Sequence, residues 1–250
     1  MYKTSTEANV IVGSSLSAKL LMDSLSHFDN LSFSGLSIFD GLNLILEKGN
    51  LPKTVFIETN LVLRPENTQF KEDLFSPIPF YTKKLIPAFR DGQQPMAVFG
   101  HYLEKNVTQN ILTKFESIKN STDKPLVSAL SPALFEKMLS NEIQNYSVIP
   151  QEKLIQERFE KLNTIINYLN SKKVDIVFFE MPIHERLCHS PVSNVVRSSF
   201  YQYFSKKKYY YITQPSCADY QTTDGLHFNS ADALRYTSYF KSQVQKYLSR

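Results

Sequence analysis

Apolar and polar positions along this chain follow two different periods. Short, nearly continuous runs of β-branched and aromatic residues read as strands at 9–13 (NVIVG), 31–35 (LSFSG), 54–58 (TVFIE), 174–181 (VDIVFFEM) and 209–213 (YYYIT). Apolar residues spaced by three and four predict helices over 16–25, 38–46, 153–169, 192–203 and 230–248. The strand runs hold few polar residues, so both faces of the sheet should be covered, as in a parallel sheet. The order β-α-β-α-β, a long middle, then α-β-α-β-α predicts an α/β fold with an open, doubly wound sheet, in which ligands bind beyond the carboxyl ends of the strands.

The middle of the chain breaks this rhythm. Residues 62–150 include Pro65, Pro77, Pro79, Pro87, Pro95 and Pro125 and mix short helical patches with loops. We read them as a long insertion after the third strand, a lid or substrate platform within a single domain of 1–250. An independent second domain is the alternative.

Composition supports a folded protein: 42% of the 250 residues are hydrophobic and 21% charged, enough apolar surface for a sizeable core and too much for global disorder. A net charge of +4 falls short of a dedicated nucleic-acid binder. Lys206, Lys207 and Lys208 followed by Tyr209, Tyr210 and Tyr211 could form a phosphate-and-stacking patch, but a helix ending in cations and then a strand explains the run better. No nucleic-acid partner is expected. No apolar run reaches the ~18 residues of a membrane span, and the first ten residues lack a signal-peptide core. As written the chain should be soluble, and it would also fit the soluble part of a membrane-anchored protein.

Candidate chemistry sits at the predicted strand ends. After the first strand, Gly13-Ser14-Ser15-Leu16-Ser17 leads into a predicted helix whose N-terminal N–H groups would stabilise an anion. Ser15 reads as a helix cap or as a nucleophile, and the glycines and lysine of a cofactor-phosphate loop are missing. Before the last helix, Asp224 stands three residues ahead of His227, close enough for a carboxylate to orient an imidazole. Ser15 and this pair would converge on one edge of the sheet.

In these blocks the chain resembles the SGNH (GDSL-type) hydrolase superfamily. Gly13-Ser14-Ser15-Leu16-Ser17 is similar to the GDSLS-like first block, Gly35 to the glycine of the second, Asn60 to the asparagine of the third, and Asp224 with His227 to the last. The chain departs from the pattern in two places. Ser14 stands where the family carries Asp, and Glu58-Thr59-Asn60-Leu61 replaces Gly-x-Asn-Asp.

The resemblance implies a flavodoxin-like three-layer α/β/α sandwich with a central parallel sheet and no cofactor. It also implies a Ser15-His227-Asp224 triad and an oxyanion hole of Ser15, Gly35 and Asn60. The altered blocks look like those of bacterial envelope members that decorate polysaccharides. The expected function is therefore a serine esterase or O-acyltransferase acting on small acyl, above all acetyl, esters of a glycan. Its partners would be an acylated saccharide and a membrane acyltransferase. The alternative is a catalytically degenerate glycan-binding or scaffolding domain.

Arg64, His184 and Arg186, after the third and fourth strands, are further candidates for binding substrate, and Phe80, Tyr81, Phe99 and Tyr102 for stacking on sugars. Cys188 and Cys217 carry no CxxC spacing. With His184 and His189 they match no common zinc module, and no metal is expected. A disulfide between them, implying an oxidising compartment, is left open beside free thiols.

Overall fold

A computed structural model of the chain describes residues 8–69 and 131–250. Contacts divide the chain into two units, one of Tyr2–Asn67 with Leu130–Arg250 and one of Met1 with Thr68–Ala129. The architecture below is that of the first.

Five strands, β1 (Asn9–Val12), β2 (Phe28–Asn30), β3 (Thr54–Glu58), β4 (Asp175–Phe179) and β5 (Tyr210–Tyr211), form one sheet in the order β2-β1-β3-β4-β5. All four pairings are parallel, with Val10 beside Val55 and Val55 beside Ile176. Successive side chains of a strand point to opposite faces, and here both faces are apolar. Val10, Val12, Val55, Ile57, Ile176 and Phe178 pack against helices α1 (Ile38–Lys48), α3 (Glu152–Ser171) and α5 (Pro191–Tyr203). Ile11, Phe56, Val177 and Phe179 share the opposite core with α2 (Pro132–Ser147), the short α4 (Glu185–Cys188) and α6 (Ser230–Leu248). The architecture is thus the expected α/β sandwich, with the carboxyl ends of all strands on one edge.

Three expectations are corrected. The segment 31–35 is the loop after β2; the strand itself is Phe28–Asn30, because Leu36 N–H turns back to Phe33 O and Gly35 takes φ +80°. Residues 16–25 form no α-helix, only two 3-10 turns, Ser17–Lys19 and Met22–Ser24. The helix fails because Leu20 and Leu21 turn extended, and Leu21 N–H leaves the chain's own carbonyls for Thr237 Oγ1 on α6 at 3.1 Å. No helix macrodipole therefore follows Ser15. Finally, α2 lies inside the stretch read as an insertion, yet its Leu139 and Tyr146 belong to the core under the sheet. Residues 70–130 of that stretch, with Phe80, Tyr81, Phe99 and Tyr102, lie outside the described residues.

Candidate active site

Ser15 sits just beyond β1 in a turn that its neighbours hold tightly. Ser14 and Ser17 bind Glu58 at the end of β3, and Ala18 N–H donates to Ser14 O at 3.1 Å. Gly13 is needed here for space: a Cβ at this position would collide with Ser17 Oγ and lie 2.6 Å from Glu58 Oε2.

The partner loop lies 212 positions away in sequence. Thr222 and Phe228 form an antiparallel bridge, Thr223 N–H donates to His227 O at 2.7 Å, and Gly225 takes φ +96°, a conformation that favours glycine. Inside this tight loop Asp224 Oδ1 accepts the N–H groups of Leu226 (2.9 Å) and His227 (2.7 Å). Its Oδ2 lies 2.6 Å from His227 Nδ1, and His227 Nε2 lies 2.8 Å from Ser15 Oγ.

The order of contacts fixes the protons. A carboxylate only accepts, so Nδ1 carries the hydrogen and Nε2 is the acceptor facing the serine hydroxyl. Burial pushes the Asp224 carboxyl up, but hydrogen bonds from the His227 ring and from the His227 and Leu226 backbones outweigh it and hold the group below its ordinary value. About a quarter of each of the His227 and Asp224 side chains remains exposed, so the relay opens to solvent at the sheet's edge.

Of the other expected donors, Gly35 lies exposed in the turn that precedes α1, and its N–H has no hydrogen-bond partner among the described residues. Ser15 N–H is likewise unpaired there. Asn60 is held from both sides by the end of β4. Its Nδ2 donates to Met181 O at 2.8 Å while Met181 N–H donates to its Oδ1 at 2.8 Å, leaving one amide proton for another acceptor.

The three substrate-binding candidates separate. Arg64 reaches back to Leu36 O at 3.3 Å, one residue from Gly35. His184 caps α4 with Nδ1, packs its ring near Phe135, and donates its backbone N–H to Gly225 O at 2.8 Å, bracing the histidine loop. Burial, and next the charge of Arg186, hold the His184 imidazole below its ordinary value. Arg186 itself is exposed.

Cys188 and Cys217 form a disulfide between α4 and the segment leading to the histidine loop, so neither sulfur is free to bind zinc. The tyrosines of the KKKYYY run serve the fold: Tyr210 and Tyr211 form β5, Tyr209 is buried, and Lys206 lies over the Tyr201 ring at 3.9 Å.

In the sequence, Glu58 stands out only as a departure from a family block. Its signal was a carboxylate ending a strand otherwise wholly apolar or hydroxylic, facing a loop rich in serine. Ser14, the other departure, is hydrogen-bonded to it: the two altered positions meet in space.

Fold and site together define an α/β protein with a Ser–His–Asp relay on the carboxyl edge of a parallel sheet. Compared with protein-family models, curated proteins and solved structures, the chain matches none of them.

Proposed function

We propose that the protein is a serine esterase or O-acyltransferase of SGNH type that acts on small acyl esters, most simply acetyl esters, of a bacterial glycan. The observation that carries this reading is the unbroken line from Ser15 Oγ through His227 to Asp224, at 2.8 and 2.6 Å. His227 Nε2 takes the Ser15 proton as Oγ attacks the ester carbonyl. The tetrahedral oxyanion would rest on Ser15 N–H, Gly35 N–H and the remaining Asn60 amide proton. Collapse breaks the ester C–O bond, the leaving alkoxide takes the proton from His227, and an acyl-Ser15 remains. Water or a sugar hydroxyl, deprotonated by the same histidine, then attacks the acyl carbonyl; the Ser15 Oγ–acyl bond breaks and Ser15 Oγ takes the proton back from His227.

A saccharide substrate is supported by a cleft of about 420 Å³ beside the histidine loop, lined by Phe135, His184, Glu185, Tyr220, Gln221 and Thr222 among others. Aromatic rings and polar groups of this kind suit a sugar ring. The disulfide supports an oxidising compartment such as the cell envelope. No helix among the described residues is long and apolar enough to cross a membrane, and a membrane acyltransferase partner would supply the acyl group in the transfer mode.

The test is incubation of the protein and of Ser15→Ala with 4-nitrophenyl acetate and a fluorophosphonate probe, with and without oligosaccharide acceptors. Labelling and acetyl release that vanish in the variant are expected. A folded wild type that neither labels nor turns over would leave a glycan-binding domain instead.

A further inference from the structure

Glu58 ends β3 with no part of it reaching solvent. No lysine or arginine pairs with it among the described residues; four hydrogen-bond donors do the compensating. Ser14 N–H (2.9 Å), Ser17 N–H (3.0 Å) and Ser17 Oγ (2.6 Å) converge on Oε2, and Ser14 Oγ (2.7 Å) donates to Oε1. Burying a carboxylate is costly unless such bonds replace its hydration.

The donors flank Ser15 on both sides, and the backbone accounting of the turn shows the consequence. Ser14 and Ser17 N–H end on Glu58, Leu16 N–H ends on Ser14 Oγ at 3.2 Å, and Ala18 N–H on Ser14 O at 3.1 Å. Of these five consecutive residues only Ser15 keeps an N–H without a partner among the described residues. With no α-helix behind Ser15, these bonds hold the turn, and the carboxylate takes the two amides that flank the serine's own. Two residues beyond Glu58, the same strand end delivers Asn60 to its clamp on Met181. One carboxylate therefore ties the turn of the nucleophile to the strand of the amide.

We propose that Glu58 is a positioning residue: it clamps the Gly13–Ser17 turn so that Ser15 Oγ faces His227 and Ser15 N–H stays free for the oxyanion. The inference rests on the acyl-enzyme reading above and deepens it. Glu58 touches no substrate and acts through the serines beside the nucleophile.

The experiment measures fluorophosphonate labelling and 4-nitrophenyl acetate turnover for wild type, Glu58→Ala and Glu58→Gln, with amide hydrogen exchange across residues 14–18. Misplacing a nucleophile by about an ångström costs ~10²-fold in rate. Glu58→Ala should therefore lose about that factor in kcat and in labelling, with KM within about threefold and faster exchange at Ser14 and Ser17. Glu58→Gln keeps an oxygen for the donors on Oε2, and should recover to within about tenfold of wild type and keep both amides protected. In wild type, Ser15 should exchange faster than Ser14 and Ser17.

A folded Glu58→Ala that labels at the wild-type rate overturns the proposal. So does a Glu58→Gln variant as inactive as Glu58→Ala while its amides stay protected, since charge and not position would then matter. Free exchange at Ser14 and Ser17 in wild type overturns it whatever the activity. A wild type that fails to label, but shows the protected pattern, defeats the enzymatic reading while the clamp stands. If Glu58→Ala does not fold, Glu58→Gln and wild-type exchange decide.

Discussion

Asp224 grips His227 twice, through the ring at 2.6 Å from Oδ2 to Nδ1 and through the backbone at 2.7 Å from Oδ1 to N. One carboxylate thus sets both the tautomer of the imidazole and the shape of the loop that carries it. Asp224→Asn keeps the size but offers an amide nitrogen where an acceptor is needed. It should lower kcat at neutral pH by roughly 10³- to 10⁴-fold while fluorescence and circular dichroism stay native. A variant that retains most of its turnover would remove Asp224 from the relay.

The same carboxyl makes stability depend on pH in a definite direction. Its native value lies below the ordinary one, so the unfolded chain takes up the proton first as pH falls. The stabilisation is complete above the unfolded carboxylate value of about 4 and disappears as pH drops through the depressed native value. Thermal midpoints of wild type and Asp224→Asn, measured from pH 7 downward, should draw together toward the acid end. A gap that stays constant would show that the carboxylate contributes nothing through its charge.

Asn60 has a structural role and, in the proposed reaction, a chemical one, and one substitution tests both. Asn60→Ala deletes two hydrogen bonds to Met181, each contributing about 1 kcal/mol to stability. It also deletes the proposed oxyanion donor, and losing such a donor raises the barrier by ~3 kcal/mol, or roughly 10²-fold in rate. Both a lowered thermal midpoint and slowed acylation are expected. A lowered midpoint without slower chemistry would confine Asn60 to the clamp.

Gly13 tolerates no side chain where Glu58 and Ser17 close over it. Gly13→Ala should destabilise the fold by about 1–3 kcal/mol through overpacking and reduce probe labelling by ~10²-fold, because the turn must move. Unchanged labelling in a folded variant would mean that the turn can relax without disturbing Ser15.

The disulfide closes a loop of 29 positions between α4 and the segment before the histidine loop. Chain-entropy reasoning assigns such a crosslink roughly 3.5 kcal/mol, which for a domain of this size lowers the thermal midpoint by roughly 10 °C on reduction. Scanning calorimetry with and without a thiol reductant measures it. A midpoint that does not move would place the crosslink outside the cooperative fold.

The hydrophobic pattern determined the layers, because runs such as TVFIE and DIVFF can bury both faces only between two sets of helices, and a parallel sheet puts all its strand ends on one edge. It also marked Ser15, Asp224 and His227, whose residue types and places after the first and last strands are local properties of the chain. It misread 16–25, since helical spacing there lost to a distant bond from Leu21 to Thr237 and to the pull of Glu58 on Ser17. Strand β2 slipped by three residues for a similar reason: an edge strand is bounded by where its single neighbour stops, which no local period records. The tertiary structure alone decided that Glu58 would hold the turn of Ser15, that Asn60 would hold Met181, and that Cys188 would meet Cys217. Each of these joins segments at least 29 positions apart, and such meetings depend on how the layers pack, while the sequence pattern reports only what each segment needs to bury.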